Sequence, residues 1–302
     1  MTVTRIDLFR KLAASLKENP EQEAQWILAH VLGIDQHQLL SDFGAELSVA
    51  HQAECLRIQG ERLAGKPLAY VLGESEFWGR KFKVSPAVLI PRPETEELVE
   101  LALKYLANTG GVDVIIDVGT GSGVIAITLA LESNTPKVYG LEISPEALVI
   151  ARQNAALNVT EFLGKSTTLT FLESNLLEKL DTSDLGDQGV KRALIVANLP
   201  YVSTTEELPV SVIDFEPKLA LFAESDGLAL VERLLVEVQE LASGLKSVNS
   251  PKALLPEETC IFLEIGYTQA NRVVSTALKL GYGKTEIFQD LSGKDRFVLI
   301  KR

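Results

Sequence analysis

The chain has 302 residues, 46% of them hydrophobic, which is enough to fill a substantial core and leaves room for two domains, so disorder as the main state is excluded. Its 29 basic and 41 acidic residues give a net charge of −12, which argues against a protein whose affinity comes from neutralising many phosphates. Two cysteines, Cys55 and Cys260, are too few for a disulfide framework or a four-thiolate metal site and fit a reducing compartment.

At the amino terminus, Arg5, Asp7, Arg10 and Lys11 interrupt the apolar residues, so no signal peptide is expected, and nothing further along approaches a membrane span. The expectation is a soluble, cytoplasmic protein. His30, His37 and His51 all precede the region where the motifs lie, which disfavours a Ser-His-Asp hydrolase or a histidine metal centre.

The first segment is helical by periodicity. Phe9, Leu12, Ala13 and Leu16 form one apolar stripe, and Ala24, Ile27, Leu28 and Val31 form a second that stops at Gly33. A third helix is predicted over Val49–Leu63, with Ala53, Leu56 and Leu63 on one side, before Gly65 and Pro67 break it. From Glu74 to Ile90 aromatic and β-branched residues predict a hairpin.

After Pro93 comes a helix with Leu98, Leu101, Ala102 and Tyr105 on one face. Apolar runs then alternate with helices: Val112–Val118, Lys137–Leu141, Thr168–Leu172, Ala193–Ala197 and Cys260–Ile265. Such alternation predicts parallel strands joined by crossover helices, an α/β doubly wound sheet. Lys284–Phe288 and Arg296–Ile300 flank a turn and predict an antiparallel C-terminal hairpin, while Ser243–Glu258 reads as a surface loop. The expected partition is a small all-α domain over residues 1–73, a hairpin linker over 74–90 and a larger α/β domain over 91–302.

Two local signals carry chemistry. Asp117-Val118-Gly119-Thr120-Gly121-Ser122-Gly123 follows a strand and opens a helix, where glycines allow a sharp turn and close approach of a ligand. The spacing is G-x-G-x-G rather than the dinucleotide fingerprint, and Glu142 ends the next strand where an acidic group meets ribose hydroxyls. A nucleoside-containing cofactor suits this turn. The second signal, Asn198-Leu199-Pro200-Tyr201, follows the fourth predicted strand at the ligand-binding edge of such a sheet. An asparagine oxygen and the next backbone carbonyl can accept both hydrogens of a planar N–H₂ group, proline stiffens the turn, and tyrosine offers a stacking face.

Together these signals resemble the Rossmann-like class I methyltransferases that use S-adenosylmethionine to methylate amide or exocyclic amino nitrogen. Glu76-Phe77-Trp78, Ile90-Pro91-Arg92-Pro93-Glu94-Thr95-Glu96 and Glu216-Pro217-Lys218-Leu219-Ala220-Leu221 are similar to stretches of the peptide chain release factor N(5)-glutamine methyltransferases, as are Leu68–Gly73 and the helical N-terminal segment that this family uses in partner recognition. The resemblance implies methylation of the glutamine in the Gly-Gly-Gln motif of class I release factors. It implies that Gly119, Thr120, Gly121, Ser122 and Gly123 line the cofactor's methionine and ribose region, that Glu142 holds the ribose hydroxyls, and that Asn198, Leu199, Pro200 and Tyr201 grip the glutamine amide. Asn175 and Leu176 would lie near adenine, and Asp117 and Asn198 would also be cofactor-binding residues.

Two positions depart from the family pattern. Leu199 stands where proline is usual, which leaves the backbone carbonyl but loosens the turn. Asn175 stands where an acidic residue is typical, and it can accept the adenine amino hydrogen only without a charge. Arg92, Glu94 and Thr95 are expected to shape the entrance or to cap the Pro93 helix. The rivals are a glutamine methyltransferase of a ribosomal protein, an adenine amino methyltransferase of DNA or RNA, which the acidic balance disfavours, and a cofactor-binding regulator without catalysis.

Overall fold

A computed structural model describes residues 3–180, 190–243, 255, 256 and 258–302. The backbone separates into two compact units: one runs to Ser75 and takes in Leu208–Phe215, and the other holds Glu76–Glu207 and Glu216–Arg302.

The first unit is helical, built from α1 (Arg5–Ala13), α2 (Pro20–Leu32), α3 (Gln36–Ser41), α4 (Val49–Leu63) and α5 (Leu68–Leu72). Local chemistry sets the ends. Thr4 and Asp7 form a capping box on α1, Pro20 opens α2, Gly33 closes it at φ 65°, and the Ser48 hydroxyl accepts from the His51 N–H at the start of α4. Leu8, Leu12, Leu16, Ala24, Ile27 and Leu28 form the core with Cys55 and Ile58.

Two sequence expectations need correction here. Helix α3 was not foreseen, although Asp35 and Gln38 form a capping box at its start. Helix α4 has the expected limits but the opposite face is buried: Cys55, Ile58 and Gln59 turn inward, and Ala53, Leu56 and Leu63 are exposed. The reason is polar pairing across helices. Gln59 donates to the Ser15 hydroxyl, and Arg62 Nε donates at 3.0 Å to both oxygens of the buried Glu23, so a face that reads polar in sequence is satisfied inside.

Strands β1 (Glu74–Phe77) and β2 (Arg80–Lys83) form a two-stranded sheet that turns through Trp78 and Gly79, both at positive φ. The larger unit then supplies α6 (Pro93–Thr109), β3 (Val114–Val118), α7 (Val124–Glu132), β4 (Lys137–Glu142), α8 (Pro145–Leu157), β5 (Thr168–Glu173) and β6 (Arg192–Ala197). The short strands β7 (Val202–Ser203) and β8 (Phe222–Ala223) pair with each other. After them come α9 (Ala229–Ala242), β9 (Glu258–Glu264), α10 (Ala270–Lys279), β10 (Lys284–Gln289) and β11 (Asp295–Lys301).

The main sheet has seven strands in the order β10-β11-β9-β6-β3-β4-β5. Neighbours from β9 to β5 are parallel, and β11 runs antiparallel to both β9 and β10, giving the expected Rossmann-like sheet with its C-terminal antiparallel pair. Helices cover both faces. Val114, Ile116 and Val118 point to a core with α9 and α10, and Ile115 points to one with α6 and α7, which is why β3 reads as a continuous apolar run. The strand order reverses between β3 and β6, so a crevice opens outside their carboxyl ends.

Of the loop expected over Ser243–Glu258, residues 244–254 and 257 lie outside the described residues, and Glu258 already belongs to β9. No described helix is long and apolar enough to cross a membrane.

Candidate active site

The crevice is built from loops that leave β3, β4 and β6. Asp117, fully buried near the end of β3, accepts through Oδ2 from the Thr120 hydroxyl (2.5 Å) and from the Ala126 N–H (3.1 Å), tying the glycine turn to the first turn of α7. Gly119 and Gly121 sit at φ 75° and 54°, and a Cβ on Gly119 would lie 3.0 Å from Leu199 Cδ2. Glu142 holds the turn from β4: its Oε2 accepts from the Gly121 N–H and its Oε1 from the Ser144 N–H, each at 2.9 Å.

Burial pushes the Asp117 carboxyl up to about 7, against the hydrogen bonds from Thr120 and Ala126 and with help from the charge of Glu142. A carboxyl raised on folding gives stability that is present at acid pH and is lost as pH rises through about 7. Asp117→Asn cannot ionise. Its melting temperature relative to wild type is therefore expected to rise between pH 5 and pH 8, by on the order of a few °C. A difference that stays constant across thermal melts in that range would mean that Asp117 is ionised in the folded protein throughout it, and would refute the reading.

One cavity gathers most of the sequence-predicted residues. Gly119, Thr120, Gly121, Ser122, Glu142, Asn175, Leu176, Asn198, Leu199 and Pro200 all line it. Asp117, Gly123 and Tyr201 do not. Gly123 is packed against Ile127 and Ala151 at the start of α7, so it shapes the turn from beneath. Asn175 is oriented by Arg233, whose Nη1 donates to Oδ1 at 3.0 Å and whose Nη2 donates to the backbone carbonyl at 3.4 Å. Leu176 adopts φ 52°, and its carbonyl accepts from the Ser174 hydroxyl at 2.7 Å.

On the β6 side, the Asn198 Nδ2 donates to the Thr95 hydroxyl oxygen at 3.0 Å, and Thr95 donates to Glu264 Oε2 at 2.9 Å. Leu199 is buried and packs over Gly119. The Tyr201 carbonyl accepts from Gln269 Nε2 at 2.9 Å, and burial, with the nearby Glu264, pushes the Tyr201 phenol up to about 12, so it stays protonated. Gly227 lies directly against that carbonyl. A second edge is latched by Glu216, which is buried and accepts from both Arg92 and the Ile90 N–H.

Sequence reasoning missed Glu264, Gln269 and Gly227, and it read Thr95 only as an entrance or cap residue. An acidic residue ending an apolar strand run was the one available signal for Glu264. Among the described residues, no group of three or more His, Cys, Asp and Glu is placed to hold a metal ion.

Comparison with known proteins meets this geometry from another side. A family described as the PrmC N-terminal domain matches residues 7–73, and one described as a methyltransferase domain matches residues 111–234. The release factor glutamine methyltransferase of Vibrio cholerae is 37% identical over 96% of this chain and 92% of its own length, and that of Moorella thermoacetica is 36% identical over 97% and 95%. The hMettl16 catalytic domain, solved in complex with a MAT2A 3'UTR hairpin, is 15% identical, covers 85% of this chain and 83% of its own, and superposes with a TM-score of 0.52, a likeness of fold alone. With relatives so similar from end to end, and with the glycine turn and the Asn198 turn meeting at one crevice, this methyltransferase chain belongs to the release factor glutamine methyltransferase family.

Proposed function

We propose that the protein transfers a methyl group from S-adenosylmethionine to the side-chain N(5) of the glutamine in the Gly-Gly-Gln motif of class I release factors, in the cytoplasm. The observation that carries this reading is Asn198 on the wall of the crevice, beside the glycine turn, with its amide nitrogen engaged by Thr95. Its carbonyl oxygen is then the end left to meet a donor, which suits a substrate N–H₂ group.

The residues present fit the cofactor. The glycine turn is a cradle that a Cβ would partly fill, Glu142 stands at its rim with a carboxylate fixed by two backbone N–H groups, and Asn175 is held in place by Arg233. Gly119–Ser122 and Glu142 would hold the methionine and ribose parts, and Asn175 with Leu176 the adenine. When bound, S-adenosylmethionine supplies an electrophilic methyl on a sulfonium.

The protein's own contribution is to prepare a poor nucleophile. A carboxamide nitrogen shares its lone pair with its carbonyl, so it must be oriented and polarised. Asn198 Oδ1 and the Leu199 carbonyl accept its two hydrogens, favour charge on nitrogen as the new C–N bond forms, and aim it at the methyl. No strong base is required, because the proton leaves after transfer. Pro200 and the buried Leu199 keep water from that side of the crevice. The helical unit is assigned to release factor recognition, a role that the exposed apolar stripe of Ala53, Leu56 and Leu63 supports.

The test is mass spectrometry of a class I release factor incubated with the protein and S-adenosylmethionine, reading the peptide that contains Gly-Gly-Gln. A single methyl on that glutamine is expected. An unmodified glutamine, with label instead in a ribosomal protein or in nucleic acid, would overturn the substrate assignment.

A further inference from the structure

We propose that Thr95 and Glu264 are positioning residues for methyl transfer: they fix which end of the Asn198 amide faces the substrate. The proposal rests on the function proposed above and adds to it a source for the orientation of Asn198.

A side-chain amide is nearly symmetric in shape, and packing alone does not tell its oxygen from its nitrogen. Only its hydrogen-bond partners do. If the nitrogen faced the substrate, two N–H₂ groups would oppose each other and the nucleophile would have no acceptor. The structure sets the choice by counting protons. Thr95 has one hydroxyl hydrogen, and it goes to Glu264 Oε2 at 2.9 Å. What remains on Thr95 are lone pairs, so the neighbouring group must donate, and Asn198 does so through Nδ2 at 3.0 Å. The Glu264 carboxylate thus reads out, through Thr95 and through its own hydrogen bond from Asn198, as an Asn198 oxygen turned toward the crevice.

The relay is built into the core. Thr95 is 3% exposed and Glu264 1% exposed, and Glu264 Oε1 has no hydrogen-bond partner among the described residues. Burying a carboxyl whose second oxygen goes unpaired is costly, and a fold that needed only packing there would be served by an apolar residue. Burial raises the Glu264 carboxyl to about 7, against the hydrogen bond from Thr95, the charge of Arg296 and a hydrogen bond from Asn198, while the charge of Glu94 adds to the rise; the relay is set as described when Glu264 is ionised, above that value. The three relay residues come from different elements: the first turn of α6, the end of β9 and the loop after β6.

Thr95→Val removes the hydroxyl with little change of shape, and Thr95→Ser restores it. Steady-state methylation of a Gly-Gly-Gln release factor, with separate measurement of S-adenosylmethionine affinity and melting temperature, distinguishes the roles. The expected result is a fall in kcat of about 10- to 100-fold for Thr95→Val, with the substrate KM and the cofactor affinity within about threefold of wild type and near-normal kcat for Thr95→Ser. An unchanged kcat in Thr95→Val overturns the proposal. So does a loss shared equally by kcat, cofactor affinity and melting temperature that serine does not restore, because that is the signature of packing. Should the valine variant fail to fold, Thr95→Ala removes the same hydroxyl with less bulk and is judged by the same outcomes. A wild-type protein that leaves glutamine unmodified would instead count against the proposed function.

Discussion

Replacing Asn198 by alanine is expected to lower turnover on the Gly-Gly-Gln glutamine by about 10²-fold or more, the usual effect of losing one preorganised hydrogen-bond partner of a transition state. The oxygen that Asn198 presents is held before substrate arrives, so its favourable interaction with the developing charge needs no reorganisation in the crevice. Cofactor affinity should change little, because the glycine turn is anchored separately by Asp117 and Glu142. Thr95 and Glu264 would keep their mutual bond, so the fold should survive. Single-turnover methylation measured beside cofactor titration separates these effects. Unchanged turnover would remove the asparagine from the mechanism, and a matching loss of cofactor affinity would make it a structural element of the turn.

Much of the architecture is legible because it is local. The buried parallel strands read as short apolar runs, and Ala193–Ala197 was expected where Arg192–Ala197 is found. The glycine turn and the Asn198 turn each lie within a few consecutive residues at strand ends, where chain order alone says that ligands bind. What escaped is set by contacts between distant residues. The amide of Asn198 is oriented by a residue 103 positions away, and that residue is held by one 169 positions away. Helix α4 misled for a similar reason, since the buried Gln59 and the half-buried Arg62 have their partners on other segments. The loss of proline at Leu199 predicted a looser turn. In the structure Leu199 is wedged over Gly119, and Gln269 and Gly227 bear on Tyr201, so rigidity enters from residues outside the motif.

That last arrangement makes Gly227→Ala the substitution with the largest expected effect on the fold. A Cβ at Gly227 would lie 2.0 Å from the Tyr201 carbonyl oxygen and 2.6 Å from its carbon, where the obstacle is backbone and cannot rotate away. Gly227 also sits at φ 84°, after Ser225 and Asp226 at φ 57° and 53°, so the segment already carries two residues in the left-handed region. Gln269 Nε2 donates at 2.9 Å to both the Tyr201 and the Asp226 carbonyls, and relieving the overlap would break that clamp. Backbone strain alone costs about 1–2 kcal/mol for a non-glycine residue there, and the overlap with its lost hydrogen bonds should bring the total to about 3 kcal/mol or more. Gly110→Ala is the matched control: φ is 75°, but nothing lies within 4 Å of its Cβ position, so only the strain applies. Thermal melts should show Gly227→Ala falling clearly further than Gly110→Ala, by about 1 kcal/mol or more, and methylation should fall with it because the Asn198–Tyr201 turn is displaced. Equal losses of stability in the two variants would show that the carbonyl of Tyr201 can move aside, and the Asn198–Tyr201 turn would then owe its position to Leu199, Pro200 and the Thr95–Glu264 relay rather than to Gly227.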